Sequence, residues 1–333
     1  MSRIAFAWST VDGSRRMNAV ALSLMFLAFV SIVVSVQPGR VKAASEMPYA
    51  GRGEFDAAGD PIPPMPFKDA PVDGAPAVAA VPVVDEGDVV ASSHLAMSYH
   101  LALLELARYK LKSFPDYTCT FTKQERVDGQ DLSDVQTMQL KLRHQPFSVY
   151  MKWEEGGDKG REVLFVDGQN DSKLLVKLGG LKGRLLPHLK LDPTGSLAMG
   201  EVRHPIMEMG LLHLTELTLS YRRRDAANPG KVKWRMVDGE SYGERPCICF
   251  QIDYLSREYE PVYKRSMVWF DREHSIPVCV KNYGWFDETE GLEGEDLEQA
   301  TLIELYGYSG LNFGSKLADS DFDKANTEYT FRR

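Results

Sequence analysis

From Tyr117 onward the side chains alternate in polarity with a period of two. Tyr117, Cys119 and Phe121 interleave with Thr118, Thr120 and Thr122, and Met138, Leu140 and Leu142 interleave with Gln139, Lys141 and Arg143. Successive side chains of a strand point to opposite faces, so each run predicts a strand with one apolar face. The pattern returns at 147–153, 163–167, 174–178, 232–236, 248–252, 267–269, 278–280 and 302–306. Asp128-Gly129, Gly156-Gly157 and Asp167-Gly168 supply turns between runs. Consecutive strands of this kind predict a mainly β (α+β) fold: a curved antiparallel sheet or half-open β-barrel with one lined interior.

Two stretches change period. Ser92-Ser93 can cap a helix to about Lys112, with Leu103, Leu104, Ala107 and Leu111 on one face. Pro205 suits the first position of a second helix, carrying Ile206, Met207, Gly210, Leu211, Leu214 and Leu217. Arg222, Arg223 and Arg224 fall at its end, where cations suit the negative pole. Residues 179–204 read as irregular. The order helix, meander, helix, meander has no β-α-β alternation, which argues against a doubly wound nucleotide-binding fold. The helices are expected to cover the concave face.

The N-terminal residues read as an address. Arg15 and Arg16 precede 18 uncharged, mostly apolar residues, 19–36, and Val41 and Ala43 offer small residues at signal-peptidase spacing. Residues 1–43 are therefore expected to be an export signal, the competing reading being an uncleaved anchor, since 18 residues can just span a bilayer. Eight of the 18 prolines lie in 44–92, whose composition predicts a disordered linker. Residues 93–333 form the expected folded domain. The destination is periplasmic or otherwise exported, with membrane contact only through 19–36 if that segment stays.

Composition narrows the function. Lys and Arg number 39 against 47 Asp and Glu, a net charge of −8, and no long basic block argues for nucleic acid. Loss of 1–43 removes five basic residues and one acidic, taking the charge to −12, which anionic headgroups should repel.

Four stretches carry a resemblance: Phe270-Asp271-Arg272-Glu273-His274-Ser275-Ile276-Pro277-Val278 with Tyr283-Gly284-Trp285; Tyr306-Gly307-Tyr308-Ser309-Gly310-Leu311-Asn312; 317–323; and 191–199. Together they resemble a planctomycete family of exported proteins, domain-of-unknown-function family 1571, over roughly 95–331. More distantly the strand pattern is similar to the periplasmic lipoprotein-carrier (LolA-like) superfamily, on topology, a Phe-x-x-x-x-Arg start at Phe121, and an aromatic strand before Asp167-Gly168. That likeness implies a half-open barrel whose cavity holds acyl chains or an apolar peptide surface. The nearer family implies no activity.

The search for chemistry finds no catalytic motif. Gly179-Gly180-Leu181-Lys182-Gly183 lacks the spacing of a phosphate loop, and no Gly-x-Ser-x-Gly elbow occurs. The seven histidines form no His-Glu-x-x-His pair; His204 and His213, with Glu208 and Glu216 nearby, read as chance neighbours. The acidic run from Glu288 to Glu298 reads as a solvated loop. No metal and no cofactor is expected. Cys247 and Cys249 share one strand face, and export makes a cross-strand Cys249–Cys279 or Cys247–Cys279 disulfide a candidate; Cys119 reads as a buried thiol.

The positive signal is the lining: Val149, Met151, Trp153, Phe165, Trp234, Met236, Phe250, Met267 and Trp269. Large, partly flexible side chains of this kind suit either a closed core or a cavity for a lipid tail. Each buried methylene would contribute roughly 0.8 kcal/mol before binding costs. The expected function is a non-enzymatic exported protein holding a lipid, a lipoprotein acyl chain or another apolar ligand. A cell-envelope sensor or scaffold binding a protein partner ranks second, and an envelope hydrolase third.

Overall fold

Two strand meanders meet side by side at the middle of one sheet. The computed structural model describes residues 93–127, 130–286 and 291–332. The first meander is β1 (Asp116–Glu125), β2 (Gln136–Arg143), β3 (Ser148–Trp153), β4 (Glu162–Val166), β5 (Leu174–Lys177) and β6 (Leu189–Leu191). The second is β7 (Val232–Tyr242), β8 (Arg245–Tyr254), β9 (Tyr263–Asp271), β10 (Pro277–Gly284) and β11 (Leu302–Asn312). The chain walks outward from the centre to β6, crosses over, and walks back from β7. The resulting order is β6-β5-β4-β3-β2-β1-β11-β10-β9-β8-β7, antiparallel throughout. The sheet is curved and open, with β6 and β7 as its two edges, as the alternating pattern predicts.

Register defines the faces, because residues directly opposite in an antiparallel pair point the same way. One continuous face runs through Trp234, Phe250 and Val268, then Val280 and Tyr306, then Phe121, Met138 and Trp153. Helix α1 (Ser93–Ser113) covers its β7–β9 end. The expected apolar stripe faces inward: Leu103, Leu104, Ala107 and Leu111 are buried. His100 comes with them, its ring stacked 4.3 Å from Phe250 and its Nδ1 accepting the Trp234 indole N–H at 3.3 Å. Burial and the Arg222 charge push the His100 pKa well below its ordinary value, so it is neutral.

Helix α2 (Gly180–Leu185) links β5 to β6, and the crossover from β6 to β7 contains α3 (Ser196–Met199) and α4 (Leu211–Ala226). The second helix therefore starts six residues later than Pro205 suggests. Residues Ile206–Glu208 form only a 3-10 turn, and Gly210, at φ 108°, breaks the path. A Cβ there would press on Leu142 and on the Tyr117 hydroxyl, which accepts the Leu211 N–H at 2.9 Å. The α4 terminus is tied down by Asp225, buried and bonded by Arg224, Tyr254 and Tyr259. The acidic run also differs from expectation: its C-terminal half forms α5 (Gly294–Thr301) with Glu295 and Asp296 in the first turn.

The convex face is covered in two places. Over β3–β5 the last residues lay Phe322, Tyr329 and Phe331 on Tyr150, Leu164, Val166 and Leu175, with Tyr329 stacked 3.8 Å from Tyr150. At β11 the Tyr242 ring occupies the space where residue 307 would carry a Cβ, which only glycine permits. The export segment, the linker and the Asp128-Gly129 turn lie outside the described residues.

Candidate functional site

Period two places Lys123 and Glu125 on the same strand face as Cys119 and Phe121, and Glu304 with Leu302 and Tyr306. Pairing of β1 with β11 then sets Glu125 directly opposite Glu304 on the concave face. Two buried carboxylates so placed repel each other, and each must be matched by donors. Their side chains are 5% and 3% exposed.

Glu125 Oε2 accepts from Lys123 Nζ at 2.7 Å and Oε1 from the Tyr306 hydroxyl at 2.6 Å. Glu304 Oε1 accepts from the Asn282 amide at 2.6 Å and the Tyr263 hydroxyl at 2.8 Å. Its Oε2 accepts from Arg203 Nε at 2.8 Å and His204 Nε2 at 3.4 Å. His204 Nδ1 lies 3.2 Å from Glu208 Oε2, and the same oxygen sits 3.8 Å from His213 Nε2. Arg203 also donates to the Arg126 carbonyl at 2.9 Å.

The titration directions follow. Burial would raise the Glu304 carboxyl, but His204, Arg203 and the Asn282 amide outweigh it and hold the pKa at about 2. Burial would lower His204, but the bonds and charges of Glu208 and Glu304 lift it to about 9. Three carboxylates, Glu125, Glu208 and Glu304, thus meet Lys123, Arg203 and His204. Such a set is a latch: it holds residues 203–208 across the concave face, and Glu304 has no proton to donate at neutral pH.

Beside the latch lies a cavity of about 150 Å³. His144 and Phe147, from the β2–β3 turn, form one wall; Met207, Met209, Leu212, His213 and Glu216 form the other. Burial lowers both histidines, so the two walls together present neutral imidazoles, thioethers, an aromatic ring and a leucine, along with the Glu216 carboxylate. Glu208 connects latch and cavity through its contacts with His204 and His213. Among the described residues no group of three or more His, Cys, Asp or Glu is placed to hold a metal ion.

The family described as protein of unknown function, DUF1571, matches residues 114–331. The chain belongs to this family. Similar solved structures include MucB, at 16% identity and a TM-score of 0.36 over 69% of this chain. The chain spans 62% of that MucB chain. Others are the lipoprotein LppX of Mycobacterium tuberculosis (13%, TM-score 0.39, 68% of this chain and 99% of that one) and a LolA superfamily protein of Nitrosomonas europaea (14%, TM-score 0.27, 67% and 96%). No curated protein matches. At such identities the likeness concerns the path of the chain, and the sheet described above rests on its own strand order.

Register separates the nine expected lining residues. Val149, Met151, Trp153, Phe165, Trp234, Met236 and Phe250 share the concave face and are buried in one core. Met267 and Trp269 do not join them: Val268 is the residue opposite Phe250, so its two neighbours point to the convex face. None of the nine borders the 150 Å³ cavity. The expected Cys249–Cys279 and Cys247–Cys279 disulfides are corrected by strand order. Cys249 and Cys279 both stand opposite Trp269, one on each side of β9, and Cys247 stands opposite Asp271. Two strand spacings are roughly 9.6 Å, beyond the reach of a disulfide at about 7 Å between Cα atoms. All four cysteines are free and buried.

Sequence reasoning singled out neither Glu125 nor Glu304 and took His204 and Glu208 for chance neighbours. The signal was there: a charged residue in the apolar phase of a strand marks a buried charge that must find a partner.

Proposed function

We propose that this chain is an exported, non-enzymatic binding protein of the cell envelope that takes the acyl chain of a lipid or lipoprotein on its concave side. The observation that carries the reading is the cavity between Phe147 and the segment Met207–Leu212, where a polar latch crosses an apolar sheet face. This pocket is open to solvent on one side, and its volume of about 150 Å³ matches an engineered core cavity that takes benzene, the size of the end of an acyl chain. A whole chain requires residues 192–210 to lift, and the charge pairs that hold them can re-form with water more readily than an apolar seal. Export rests on residues 1–43, with 44–92 as a spacer from the membrane.

Titration of the purified protein with a fluorescent fatty acid tests this. The expected result is one site per chain, weakened at least about tenfold by Leu212→Trp, which fills the cavity and excludes two or more methylenes. A folded wild-type protein that binds no acyl probe would overturn the reading. A second reading, a sensor or scaffold for an envelope protein, draws on the burial of the seven concave residues, each at most 7% exposed. It expects a protein partner on the sheet rim and no acyl binding. A hydrolase ranks last, since the carboxylate pair Glu125 and Glu304 is saturated by its own chain.

A further inference from the structure

Large apolar side chains on the described surface are not evenly spread. Leu181 is 76% exposed, Leu185 84% and Leu197 74%, with Leu186 and Leu189 also exposed. All five fall within the 17 residues 181–197, on α2, directly after it at Leu186, on the edge strand β6 and on α3. Leucines 181 and 185 are one helical turn apart, so α2 carries them on one side. Leu189 shares the face of Val176, which sets the patch at the β6 rim of the concave face. The base is firm: buried Lys177 donates to the Leu186 carbonyl at 2.8 Å.

The charge of this stretch opposes that of the protein. Residues 172–191 contain five Lys and Arg and no carboxylate, in a chain of net charge −8. Lys182, Arg184, His188 and Lys190 alternate with the leucines. Lys190 lies 3.6 Å from Asp171 and Lys173 3.0 Å from Asp192, but both pairs are solvent-exposed and worth little. Exposed leucine interleaved with basic residues is the composition that settles into an anionic lipid surface.

We propose that this patch, Leu181 to Leu197, docks on the anionic headgroup surface of a bilayer. The overall acidity of the chain does not prevent it, because a membrane senses charge within a Debye length of about 10 Å, and residues 181–197 carry three Lys and Arg against one carboxylate, Asp192.

The four native thiols are at most 2% exposed, so a Leu185→Cys variant of the full chain can carry a single environment-sensitive fluorophore at the patch. Tyr109→Cys, 73% exposed on α1, is the control site. With phosphatidylglycerol vesicles the label at 185 should shift to the blue and brighten several-fold, while the label at 109 stays unchanged even if residues 19–36 tether the chain. The response should be absent with phosphatidylcholine vesicles and fade with added salt. Lys182→Gln and Lys190→Gln should each weaken it about fivefold. No response at 185, or an equal and salt-insensitive response to both lipids, overturns the proposal. So does a blue-shifted label before vesicles are added, which would mean that a second copy or another segment of the chain already covers the patch.

Discussion

Glu304 shows how much one strand position can decide. It sits on the apolar face of β11, yet four side chains from three separate segments converge on its two oxygens. Glu304→Gln leaves the half-buried Arg203 and His204 without their main counter-charge, and breaking a fully buried pair costs about 3–5 kcal/mol, the upper limit here. A urea denaturation midpoint lowered by up to that amount, with an unchanged slope, is the expected outcome. The pH dependence has two edges. His204 has a folded pKa of about 9, above its ordinary 6.5, so its contribution is complete below 6.5 and lost as pH rises through 9. Glu304 has a folded pKa of about 2, below its ordinary 4.5, so its contribution holds above 4.5 and is lost as pH falls through 2. Denaturation from pH 6 to 10 should show a decline in stability that His204→Asn abolishes; an identical decline in both proteins would refute the assignment.

At the scale of elements, β9 separates the cysteines. Every thiol is buried, and burial pushes Cys279 up to about 12 and the other three upward as well. The folded protein, never exposed to reductant, should take up no thiol reagent, and in denaturant it should take up four equivalents; two would mean a disulfide and a different register. The same strand explains why Met267 and Trp269 could not be placed from the sequence. Both phases of β8 and β9 are apolar, because α1 covers one side and Trp269 meets Glu240 of β7 on the other. Period two separates the faces of a strand only when one of them is wet. By contrast β1 and β2 alternate apolar with Thr, Gln and Lys, and there Tyr117, Phe121 and Met138 fall on the concave side. The onset of α4 misled in another way: Pro205 permits a helix, but Gly210 imposes a break that tertiary contact with Tyr117 requires.

For the whole molecule the design is an open sheet with both faces occupied: helices and the crossover within, the C-terminal residues and the β7 hairpin outside. Residues 44–92 carry eight of the 18 prolines and few large side chains to bury, the composition of a spacer. A chain beginning at Ser93 should therefore fold with the denaturation midpoint of the full chain, read by circular dichroism in urea. Loss of a cooperative transition would mean that residues 1–92 belong to the fold.

The sequence by itself determined the kinds of element and most of their limits, because alternation and helical spacing are local consequences of backbone geometry. Strand identity and the apolar stripe of α1 are both written in neighbours a few positions apart. Tertiary structure alone decided the meeting of Glu125 with Glu304, the position of β9 between the cysteines, and the face given to Trp269. These are matters of register between strands far apart in the chain, which are settled by the packing of the whole sheet rather than by any single run of residues.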